Sequence, residues 1–198
     1  MNRLRPLFAG GSAGNEQLTA VAATVLVVLL AVEGATILRI GSLLTVHAFV
    51  GMLLIPVIAL KLASTGWRLV RYYRRAEEYV LRGPPHVLLR MLVAPVVVAS
   101  TVMVFGTGVA LLAADQTHGT LVGLHKASFI VWVGATAIHV LAHLGALRHA
   151  MRGRLPGSAL RWFLVGAAVV AGVAVALGTL PAAEALRTHA EHFAGLDH

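Results

Sequence analysis

The chain contains no cysteine. That excludes disulfides, iron–sulfur clusters and covalent c-type haem attachment, each of which needs thiol sulfur. Acids are scarce, with 8 Asp and Glu against 16 Lys and Arg in 198 residues. Charged residues make up 12%, about half the share in a soluble domain. No phosphate-binding glycine loop, zinc-protease motif or nucleophile–base–acid arrangement occurs. The net charge of +8 would suit a nucleic-acid binder. No recognition motif accompanies it, and the basic residues sort by topology instead, so no nucleic-acid partner is expected.

What the chain does have is apolar sequence, 58% of its residues, gathered into long runs. Five runs are long enough to cross a hydrocarbon core of about 30 Å. They are Leu18–Leu38, Leu43–Ala63, Met91–Ala114, Leu121–Leu144 and Trp162–Leu180. Lipid offers backbone groups no hydrogen bonds, so each run must be helical, and prolines such as Pro56 and Pro95 do not argue against that. The expected fold is all-α, an integral membrane bundle of five transmembrane helices. Residues 1–198 form one transmembrane domain, with an N-terminal segment 1–17, a bundle 18–180 and a tail 181–198. Residues 1–17 are polar, and no small-residue cleavage site closes a short apolar core, so the first span reads as retained.

Orientation follows from Lys and Arg. Arg3 and Arg5 precede the first span. Lys61, Arg68, Arg71, Arg74, Arg75, Arg82 and Arg90 flank the connection between the second and third, and Arg148, Arg152, Arg154 and Arg161 that between the fourth and fifth. The other side has only Arg39, Lys126 and Arg187. The richer side is cytoplasmic, which puts the N-terminus inside and the C-terminus outside. In the connection Trp67–Arg90, Gly66 to Tyr79 is expected to prolong the second helix, and Gly83-Pro84-Pro85 to end it. Its aromatics and arginines suit a topology anchor at the lipid interface, or a docking surface for an acidic partner.

Four of the 10 histidines lie within or at the edges of spans: His47, His125, His139 and His143. Ionisable residues are costly there and mark function, although a hydrogen-bonded packing role is the plain alternative. The second and fourth helices run the same way. His47 and His125 are each the fifth residue of their span, about 6 Å below the outer edge. Two neutral imidazoles at one depth can ligate a single haem iron axially. Gly51, Gly106 and Gly108 would leave space for a porphyrin, and Lys126 and Arg39 could pair with its propionates. His139 follows His125 by 14 residues, about four turns, on the same face. Lys61 stands 14 residues after His47.

Two histidines spaced in this way on one helix resemble the ligand pattern of bacterial membrane b-type cytochromes, the cytochrome b561-type and ferric-reductase-like bundles. Leu124-His125-Lys126-Ala127-Ser128-Phe129 followed by Ile138-His139-Val140-Leu141-Ala142-His143 carries the likeness. The resemblance implies haem b, one or two per chain, and electron transfer across a bacterial cytoplasmic membrane. It also implies a quinone or a separate redox protein as partner. The departure is Lys61, where a second bis-histidine site would want histidine. His86 could substitute from the start of the third helix, although by residue counting it lies nearer the level of His143 than of His139 and outside the apolar run.

Glu33 is the one acid well inside a span and could accept a hydrogen bond from a ligand histidine. His139 and His143, four apart, have a metal-binding spacing but no acid opposite. In the tail, His189, His192 and His198 with Glu184, Glu191 and Asp197 could collect metal, although a solvated helix is the plainer reading. The leading expectation is an electron-transfer subunit of an oxidoreductase. The alternatives are a transporter or metal-handling protein using Lys61, Glu33, His139 and His143, and a structural subunit without cofactor.

Overall fold

A computed structural model describes residues 11–81, 89–152 and 158–196. The segments Gly83-Pro84-Pro85 and Arg3, Arg5, Arg82, His86, Arg154, Asp197 and His198 lie outside the described residues, as do the side chains of Arg90, Arg148 and Arg152. The described residues form helices joined by short turns, with no strand among them, and hold five helices long and apolar enough to span a membrane. They are α1 (Gly11–Ile37), α2 (Ile40–Tyr73), α4 (Ala94–Ala114), α5 (Thr120–Arg152) and α6 (Ser158–Leu196), with a four-residue α3 (Glu77–Val80) after α2. The chain is therefore an all-α, multi-pass membrane bundle.

All but α4 outrun the apolar stretches that signal them. Hydropathy marks only the part of a helix in hydrocarbon, while backbone hydrogen bonding carries the helix on into the headgroups. The helix α2 stops at Tyr73, short of the expected Tyr79. Arg75 adopts the left-handed region (φ 54°), which ends the helix and turns the chain into α3. Pro95 falls in the first turn of α4, where its missing N–H costs nothing. A π-helical turn, Leu89–Val93, leads into it. Asp115 at the end of α4 (φ 50°) and Gly119 (φ 89°) make the tight turn to α5, and only glycine takes the second value readily.

In lipid, helices gain little from leaving the solvent, so association rests on close packing and small residues. The helix α2 is central, packed along α1 and α6, with Leu54 and Val57 fully buried. Gly172 of α6 lies so close to the Leu53 carbonyl that any side chain would collide with it. The helices α4 and α5 form a second unit, packed on each other and touching α1, α2 and α6 more sparsely. Much of α5, including Ile130, Val131, Ile138 and Leu141, is exposed to what would be lipid. At the arginine-rich end, Arg161 is buried and donates to Gln17 Oε1, with Gly14 leaving it room. Arg161 thus ties α6 to α1 instead of standing in a loop.

The tail, as far as Leu196, is a continuation of α6. Ala183 and Leu186 are buried against Leu112, next to Leu44, Ala48 and Met52 of α2. From Arg187 to His192 the helix is largely exposed, held by His189 to Asp115 at 2.7 Å and internally by Arg187 to Glu191 at 2.7 Å.

Candidate functional site

The looser contact between the two packing units leaves a cavity of about 350 Å³ at the Arg39 end of the bundle. All five long helices contribute to it. Glu33 comes from α1, His47 and Gly51 from α2, Gly108 from α4, His125 and Lys126 from α5, and Leu186 and Ala190 from α6. The rest of the lining is mostly apolar, with Phe129 and Trp132 from α5.

The fold brings His47 and His125 together across this cavity. Their ring centres are 6.4 Å apart and their planes stand at 80°. Each ring is held by its Nδ1. His47 Nδ1 lies 3.0 Å from Thr36 Oγ1 and 2.9 Å from Glu33 Oε1. His125 Nδ1 lies 3.0 Å from Thr107 Oγ1.

The threonines fix the tautomers. Thr36 already donates its hydroxyl proton to the Glu33 carbonyl at 2.6 Å, and Thr107 donates to the Met103 carbonyl at 2.6 Å. Each hydroxyl oxygen can then only accept, so each histidine carries its proton on Nδ1. In the neutral ring this leaves Nε2 with a free lone pair, the form that binds metals. The two histidines sit on different helices yet share one arrangement: a threonine from the neighbouring helix, itself tied to its own backbone, receives Nδ1–H.

The glycines behave differently from one another. Gly51 lines the cavity, and a side chain there would reach Glu33 Oε1. Gly106 lies on the exposed face of α4, and Gly108 takes the expected place, close enough that a methyl group would press on His125. Lys126 borders the cavity. Arg39 is exposed in the turn between α1 and α2 and is not part of the lining.

Fourteen residues along α5, His139 stacks on His143 at 4.4 Å between ring centres, and His143 Nδ1 meets the His139 carbonyl at 2.9 Å. Lys61 lies within electrostatic range of His139. Unlike the first pair, His139 has a buried Nδ1 with no hydrogen-bond partner, and Thr136 beside it has a buried, unpartnered hydroxyl. Between the two levels, Phe129 and Trp132 stack at 6.3 Å, and Trp132 donates to Thr101 Oγ1 at 2.9 Å.

Sequence reasoning missed Thr36, Thr107 and Trp132, and quoted Phe129 only as part of a motif, without a role at the site. The α5 residues were detectable, because positions 125, 129, 132, 136, 139 and 143 follow the three-and-four spacing of one helical face. Thr107 carried no such signal, since its partner is on another helix. Among the described residues no three His, Cys, Asp or Glu side chains gather as a metal site. No family model, curated protein or solved structure matches the chain.

Proposed function

We propose that the chain is the haem-b-binding subunit of a membrane electron-transfer system, in which His47 and His125 would hold the haem iron. The observation that carries this reading is the matched pair of imidazoles lining one cavity, each with its Nδ1 beside a threonine hydroxyl. An imidazole nitrogen bonds a metal at about 2 Å, which sets its ring centre about 3 Å from the metal and two opposed rings about 6 Å apart. The 6.4 Å between His47 and His125 fits that requirement. An axial pair also needs only two protein ligands, so the lack of a larger donor cluster among the described residues does not bear against it.

When bound, the haem would supply a one-electron couple. The chain's own residues would hold and tune it. Thr107, and Thr36 with Glu33, keep the rings in one orientation and raise the basicity of Nε2. The apolar walls exclude water. Lys126 at the rim would meet the porphyrin carboxylates. Gly51 and Gly108 keep the space between the helices open.

On the positive-inside rule the Arg39 end faces outward, the N-terminus lies inside and the C-terminus outside. The proposed setting is the cytoplasmic membrane of a bacterium. Electrons would pass from a quinone or cytoplasmic donor to an outer partner protein. The Lys61, His139 and His143 level lacks the threonine-held pair, so one haem per chain is the proposed stoichiometry. The test is an absorption spectrum of the detergent-purified protein before and after dithionite. A protein that inserts fully but shows no haem bands, even after haem is supplied during expression, would end the proposal.

A further inference from the structure

A second site lies at the opposite end of the bundle and does not depend on the cofactor. The 34 residues of α2 span about 51 Å, more than the 40–45 Å of a bilayer with its headgroups. Its last turn therefore sits at headgroup level or just beyond, at the arginine-rich end. There the chain reverses through Arg75, an arginine held in the left-handed region at φ 54°. That conformation costs roughly 1–2 kcal/mol for a residue with a side chain. The reversal is braced. Arg75 N–H donates to the Tyr72 carbonyl at 3.0 Å, and Ala76 N–H to the Arg71 carbonyl at 3.1 Å. The Arg71 guanidinium lies over the rings of both Trp67 and Tyr79, at 6.0 and 5.7 Å, and Tyr79 is buried. The helix α3 is thereby clipped against α2.

Between them is an open cleft of about 510 Å³ lined by Tyr72, Tyr73, Arg75, Glu77, Val80 and Leu81. Its chemistry is mixed in a specific way: one guanidinium, one carboxylate, two phenols and two aliphatic side chains. Leu81 is 79% exposed and Tyr73 63%, the latter meeting the Tyr72 ring edge-on at 5.6 Å, so the apolar part is open to a lipid. The neighbouring carboxylate, Glu78, is turned away and lies against Gly11 at the start of α1.

We propose that this cleft binds the headgroup of a zwitterionic aminophospholipid, with the phosphate on Arg75 and the ammonium on Glu77. Val80 and Leu81 then meet the start of an acyl chain. Charge complementarity selects this occupant. An anionic glycerol headgroup would place no cation on Glu77. A choline headgroup has the positive charge but no N–H to donate.

The test uses the purified full chain and native mass spectrometry, with phosphatidylethanolamine, phosphatidylcholine and phosphatidylglycerol of matched acyl chains competing at equal concentration. Retention of the ethanolamine lipid should exceed that of the other two by about tenfold, as expected when one charge-assisted hydrogen bond separates them. Glu77→Gln should remove that preference, and Arg75→Gln should lower retention of all three. Glu78→Gln, outside the cleft, should change nothing, and circular dichroism should show each variant folded. Equal retention of the three lipids, a phosphatidylglycerol preference, or a preference that survives Glu77→Gln would overturn the assignment. None of these outcomes touches the haem reading, whose failure would appear in the absorption spectrum alone.

Discussion

Replacing Thr107 by valine removes one hydroxyl and keeps nearly the same shape. In the native arrangement His125 Nδ1–H is received by Thr107 Oγ1 at 3.0 Å, and Thr107 is buried. Valine removes that acceptor and leaves the ring its hydrogen bond to the Val104 carbonyl. Losing one hydrogen bond costs about 0.5–1.5 kcal/mol, or roughly 2- to 12-fold in an equilibrium constant. Loss of a group that orients a metal-bound histidine typically costs at least about tenfold in affinity. Haem retention in Thr107→Val should therefore fall by about tenfold. Thr36→Val should do less, under about fivefold, because Glu33 Oε1 at 2.9 Å still receives His47 Nδ1–H. The assay is the transfer of haem from each purified variant to an excess of a scavenging apoprotein, followed by absorbance. Thr179→Val is the control, since Thr179 bonds only to carbonyls of its own helix. Equal retention in Thr107→Val and Thr179→Val would refute the reasoning that the threonines set the ligand tautomers.

Were His47 and His125 to hold a haem iron, the 80° between their imidazole planes would favour near-degenerate iron dπ orbitals. Electron paramagnetic resonance of the oxidised protein should thus show a highly anisotropic low-spin signal, and a rhombic signal typical of parallel planes would contradict the geometry. Haem quantified against protein should give about one per chain, and Lys61→His should raise it by supplying a second ligand opposite His139; a native ratio near two would show that His86 or His143 completes an inner site. Gly172→Leu should lower the unfolding temperature in detergent, because overpacking at the Leu53 carbonyl costs about 1–3 kcal/mol, whereas Gly178→Leu meets open space and should not. A reporter enzyme fused after Asp115 should be active only outside and one fused after Arg82 only inside; activity of both on one side would rule out the orientation.

Much of this fold was legible because lipid makes the rule simple: a run of about twenty apolar residues has to be a helix. What hydropathy could not show was where helices stop. The end of α2 at Tyr73 depends on the backbone of Arg75, and the extension of α6 depends on Ala183 and Leu186 finding a place against Leu112. The pairing of His47 with His125 was legible from depth counting, since both helices run the same way and rise equally per residue. Their partners were not. Whether Thr36 and Thr107 face a histidine depends on how α1 and α4 are rotated about their axes, and a helix apolar on every side gives little rotational signal. That Gly108 lines the cavity while Gly106 is exposed was hidden for the same reason, as a two-residue shift turns a side chain by roughly 200° about the helix. Arg39 was placed by depth alone; it stands exposed in the turn between α1 and α2, outside the cavity lining.

The most direct measurement is the dithionite-reduced minus oxidised absorption spectrum of the purified chain, taken beside His47→Ala and His125→Ala variants that insert to the same level. The account predicts the sharp α band of a low-spin haem b in the native protein and its loss in both variants. A native protein without that band, or a band that persists when either histidine is removed, would contradict it.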